Sequence, residues 1–108
     1  MNEQQMFIEL GKSLVEGSFG ATSHDDDDLE RIGRRWFSNS LKDFQHALCN
    51  NDVVLKFLND KNKQSQSQIV AAISDLILDK VGVMPVTTVA TLIITYGLNN
   101  LCNGKVNL

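Results

Sequence analysis

Proline is almost missing from this chain: Pro85 is the only one among 108 residues. Proline breaks helix interiors and favours turns, so its scarcity leaves long helices open to the sequence. Cysteine is nearly as scarce. Cys49 and Cys102 are too few for a disulfide-built scaffold and are read as free thiols in a reducing cytoplasm. The opening Met1-Asn2-Glu3-Gln4-Gln5 has neither the basic start nor the apolar run of a secretory signal, which points the same way. Positive charge is not in excess either, with 10 Lys and Arg against 13 Asp and Glu and a formal net charge of −3. That balance argues against a dedicated nucleic-acid binder.

Catalytic signatures are absent too. No GxSxG, P-loop, GxGxxG or HExxH pattern occurs. His24 beside the Asp25–Asp28 run has no calcium-loop spacing, and consecutive helical residues point in different directions. The acidic run suits the start of a helix instead, where the macrodipole favours negative charge. His46 and Cys49 form half of a zinc-type site, but the other half would have to come from Cys102 and His24, with no CxxC or HxxxH. The expectation is a non-enzymatic chain with no catalytic residue, metal or cofactor.

Apolar periodicity is what the sequence does contain. Hydrophobic residues make up 43% of the chain and charged residues 21%, an ordinary globular balance. The spacing predicts an all-α fold, a compact bundle of four to five helices in a single domain over residues 1–108, with 1–22 an arm and linker able to move. Met6, Phe7, Leu10, Leu14 and Val15 share one side of a first helix over Glu3–Glu16. Gly17–Thr22 then breaks it. Ser23 is the expected N-cap of a second helix, in which Leu29, Ile32, Trp36, Phe37, Leu41, Phe44 and Leu48 recur every three or four residues. Asn50 or Asn51 caps a short third helix to Asn59, and Asn62–Gln68 reads as a loop. Ser65 or Ser67 opens a fourth helix carrying Ile69, Val70, Ile73, Leu76, Ile77 and Val81, stopped at Gly82.

No charged residue stands between Lys80 and Lys105. The β-branched content there favours strands, but Thr88, Thr91, Thr95 and Asn99 step by three and four, a polar stripe on an apolar cylinder. One helix from Pro85 to about Cys102 is therefore expected, central in the bundle with helices 2 and 4 against it. Ala90 and Gly97 would let a neighbour approach closely.

Two surfaces are candidate partner-binding sites. Arg31, Arg35, Lys42 and His46 project from the side of the second helix opposite its apolar arc, with Arg34 at the border and Trp36 beside them. Arginine forks suit carboxylate or phosphate recognition, and tryptophan is enriched at binding hot spots. Asp27–Arg31 and Glu30–Arg34 pairs at i and i+4 would temper that face. The uncharged Thr88–Thr91–Thr95 stripe is the second surface, since an exposed helix face usually carries Lys or Glu; it looks covered by the first helix or by another chain. The functional expectation is a protein–protein interaction module, an adaptor or small accessory subunit binding a protein partner or its own copy, of the kind found in bacterial defence and toxin–antitoxin assemblies. Two alternatives rank lower. One is a membrane-active hairpin over residues 69–102, made expensive by Asp75, Asp79 and Lys80. The other is weak nucleic-acid binding through Arg31, Arg34 and Arg35, which the acidic field opposes.

Overall fold

The structure is a computed structural model that describes residues 2–16, 25–59 and 66–107. The expected Gly17–Thr22 linker, Ser23 and most of the Asn62–Gln68 tract lie outside the described residues. Among the described residues six helices follow in order: α1 (Glu3–Glu16), α2 (Asp26–Leu48), α3 (Asp52–Asn59), α4 (Gln66–Val81), α5 (Val86–Tyr96) and α6 (Leu98–Cys102). Among the described residues there is no strand, so the chain is an all-α bundle.

Helix starts follow from local chemistry. Asn2 and Gln5 cap α1 reciprocally: Asn2 Oδ1 accepts the Gln5 N–H at 2.8 Å, and Gln5 Oε1 accepts the Asn2 N–H at 3.2 Å. The N-cap of α2 is Asp25, not the expected Ser23. Its carboxylate accepts the Asp28 N–H at 2.8 Å, and Asp26–Asp28 fill the first turn. Asn51 caps α3 through the Val53 N–H at 2.9 Å. α4 begins at Gln66, so Ser67 and Gln68 lie inside the helix and not in a loop, and of the two expected openers Ser67 is excluded while Ser65 lies outside the described residues. The helix stops where Gly82 turns to φ +60°, a conformation glycine adopts without steric cost.

The contact between α1 and α2 is the most extensive in the fold. Two mid-helix glycines make it possible. A Cβ on Gly11 would lie 2.0 Å from the Leu29 carbonyl oxygen, and one on Gly33 would lie 2.0 Å from the Phe7 carbonyl oxygen. The helices therefore meet backbone to backbone, and α1 is seated on α2 with Phe7 and Leu10 fully buried. Around this seam an aromatic cluster forms, with ring centroids 5.7 Å apart for Phe7–Phe37, 5.6 Å for Phe37–Phe44 and 6.0 Å for Phe37–Tyr96.

The charge-free segment is helical but not one helix. Gly97, at φ +98° and ψ 132°, ends α5 and starts α6 in a new direction. The Asn100 amide donates to the Tyr96 carbonyl at 2.7 Å, satisfying an acceptor that the break releases. Gly97 is thus a corner rather than a packing notch, while Ala90 is fully buried as a packing residue should be. Of the two neighbours expected for α5, α4 is in place, but α1 takes the position expected for α2. α4 and α1 flank it, and α2 reaches it chiefly through the Phe37–Tyr96 ring contact.

The free-cysteine reading is overturned. Cys49, at the C-cap of α2, forms a disulfide with Cys102 in the last turn of α6, across 53 residues of chain. Gln45 reinforces the same junction by donating its amide to the Leu101 carbonyl at 2.7 Å. Cys102 lies beyond the break at Gly97, and its Cα is 5.5 Å from that of Cys49.

Candidate functional site

The basic residues of α2 divide into two groups. Arg34 turns inward at the α1–α2 seam: its Nε donates to Glu30 at 2.9 Å, its NH1 group reaches Glu3 at 3.5 Å, and its guanidinium carbon lies 4.4 Å from the centroid of the Phe7 ring. Burial works against its charge, but the hydrogen bond and field of Glu30, with a further contribution from Tyr96, outweigh that and hold the guanidinium above its ordinary value. Tyr96 closes the cluster by donating its hydroxyl to Glu3. Burial, then the hydrogen bond to Glu3 and the charge of Glu3, push the Tyr96 phenol up to about 12. Arg34 therefore ties α1, α2 and α5 together.

Arg31 and Arg35 remain outside and exposed. Asp28 is the ion-pair partner of Arg31, at 3.8 Å and with the Arg31 side chain 78% exposed; the expected Asp27 is not. A pair that open contributes little. Arg35 makes no ion pair among the described residues. Between these arginines and the end of α1 lies an open concavity of about 600 Å³, lined by Leu14, Asp28, Arg31, Ile32, Arg35, Trp36 and Asn39. Trp36 is half-buried. One side of its ring packs edge-on to Phe44 at 6.0 Å, and it also lines the concavity, so it serves core and surface together. The α2 periodicity explains the position: Leu29, Gly33, Phe37, Phe44 and Leu48 face the bundle, leaving Ile32 and Trp36 on the flank. Lys42 is exposed and belongs to a smaller hollow of about 230 Å³ beside α6, with Ser38, Leu41, Gln45, Leu101, Gly104 and Val106. The structure thus joins Arg31, Arg35 and Trp36 in one site and separates Arg34 and Lys42 from it.

The threonine stripe divides as well. The Thr88 hydroxyl donates to Glu9 of α1 at 3.3 Å, so the first helix covers that end. Thr91 and Thr95 donate back to the Thr87 and Thr91 carbonyls, each at 2.8 Å. These back-bonds leave Thr95 exposed without an unsatisfied hydroxyl. No single helix among the described residues is long and apolar enough to cross a membrane; α4 and α5 meet that test only together, across a bend of 116°. Ile73, Ile77 and Val81 of α4 and Val89, Ala90, Leu92 and Ile93 of α5 are spent on the core. Among the described residues no group of three His, Cys, Asp or Glu could hold a metal ion.

The residues of the site that sequence reasoning misses are Leu14, Asp28, Ile32 and Asn39. Periodicity places Leu14 on the inner face of the first helix, and only the crossing of α1 over α2 brings it to the rim of a surface hollow. Protein-family models, curated proteins and solved structures were all compared with this chain, and none matches it.

Proposed function

We propose that this protein is a non-enzymatic protein–protein interaction module, acting as an adaptor or small accessory subunit through the exposed side of α2. The observation that carries the reading is the concavity of Leu14, Ile32 and Trp36 rimmed by Arg31 and Arg35. It combines the elements of a binding hot spot: a half-buried indole, aliphatic neighbours, and two exposed arginines of which only Arg31 makes an ion pair among the described residues, a loose one with Asp28. Its volume suits a few side chains of a partner. Thr95, exposed and without charge, is a second contact point on the far helix.

Affinity capture from the native host with the full chain as bait tests this, read by mass spectrometry beside sedimentation of the purified protein. The reading expects a reproducible partner in stoichiometric amount, or a defined oligomer. A monomer that captures nothing stoichiometric would end it.

A further inference from the structure

We infer that the α1–α2 concavity receives a short acidic segment of a partner protein, one in which an aliphatic or aromatic side chain stands next to an Asp or Glu. The inference rests on the interaction reading above and gives its partner a chemistry. Apolar and charged requirements come from different residues. Leu14, Ile32 and Trp36 form a floor that is half-buried in the bundle, so an apolar anchor entering the hollow removes the remainder from water. Arg31 and Arg35, one helical turn apart, stand on the rim with their side chains in solvent.

Comparison with Arg34 shows what these two lack. Arg34 has Glu30, Glu3 and the Phe7 ring. Arg31 has one loose contact with Asp28, and Arg35 has no ion pair among the described residues. A carboxylate delivered beside a filled hollow would supply what Glu30 supplies to Arg34, a charge-assisted hydrogen bond in partly desolvated surroundings. Charge also selects against other occupants. A basic segment is repelled by the rim, and an extended polyanion meets a chain of net charge −3 whose α2 begins with Asp25–Asp28. A single carboxylate, placed toward Arg35 and past the first turn of α2, meets the arginines at a distance from most of that acidic run. Asp28 at the same end of the hollow sets a direction, keeping the acid toward Arg35.

The test is selection of random linear peptides by phage display on the full-length protein, with affinities then measured by fluorescence polarisation. Selected peptides are expected to share an Asp or Glu beside Leu, Phe or Trp. Arg31→Glu and Arg35→Glu should each weaken binding roughly tenfold or more while leaving helicity unchanged, because both side chains are exposed. Trp36→Phe, which keeps the core contact with Phe44, should weaken it less. Peptides without an acidic residue, binding indifferent to both arginine variants, or no selection at all would each overturn the inference. Host partners captured equally by wild type and by the double variant would overturn it while sparing the interaction reading. A dimer abolished by the double variant would assign the hollow to a second copy. Low-salt binding of single-stranded DNA, lost in the same variant with no acidic peptide selected, would assign it to nucleic acid. Both of those results also overturn it.

Discussion

Gly33 of α2 and Phe7 of α1 are in backbone contact: a methyl group on Gly33 would fall 2.0 Å from the Phe7 carbonyl oxygen. The obstacle is main chain, which cannot swing aside as a flexible side chain does. Gly33→Ala is therefore expected to cost about 3 kcal/mol or more, by forcing the two helices apart. Gly82→Ala is the contrasting case. Nothing lies within 4 Å of its Cβ position, and only the left-handed φ of +60° opposes the change, a cost of roughly 1–2 kcal/mol. Urea denaturation of both variants checks the order. Equal losses would mean that the seam is looser than described.

The Glu3–Tyr96–Arg34 cluster makes an alkaline prediction. The Tyr96 phenol is raised from 10.0 to about 12 in the folded protein, first by burial and then by Glu3. Its contribution to stability is fully present below pH 10 and is lost as pH rises toward 12. Tyr96→Phe should cost about 1 kcal/mol at neutral pH, the cluster being only partly buried. It should also remove this part of the alkaline fall in stability. Wild type and variant denatured in parallel across that window give the answer. Curves that stay parallel would deny the coupling.

The Cys49–Cys102 bond closes 53 residues of chain. Closing a loop of that order restrains the unfolded state, and reduction or the Cys49→Ser, Cys102→Ser double change should lower stability by roughly 2–4 kcal/mol. Thermal unfolding with and without dithiothreitol measures it. Thiol trapping of protein taken directly from its host adds a readout of compartment, because such bonds persist in oxidising surroundings and are rare in a reducing cytoplasm. Two freely alkylated cysteines would return the chain to the cytoplasmic expectation.

The threonine stripe should respond unevenly. Thr95→Lys is expected to change stability by less than about 0.5 kcal/mol, since the side chain is exposed. Thr88→Val removes the donor to Glu9 between α5 and α1 and should cost about 1 kcal/mol. Thermal melts of the two proteins decide. A Thr95→Lys variant that loses host partners while keeping its melting temperature would make that end of α5 a contact surface.

The α1 and α2 apolar faces, the Asn51 cap and the Gly82 stop were legible in the sequence, because each depends on residues within one or two turns of one another. Helical periodicity and capping are local, so the all-α class follows from the chain alone. The glycines inside α1 and α2 carried a signal as well, standing at i and i+4 spacing with Phe7, Leu29 and Phe37, although only the crossing of two helices gave that spacing its meaning. What tertiary structure decided was every pairing across distance. It bent the charge-free segment at Gly97, joined Cys102 to Cys49, drew Arg34 into the seam, and left Arg31, Arg35 and Trp36 around a hollow with Leu14. Periodicity assigns a residue to a face, but the depth of that face depends on how closely the neighbouring helix approaches. Here the two glycines set that distance, and with it which arginine is drawn into the seam and which stand exposed.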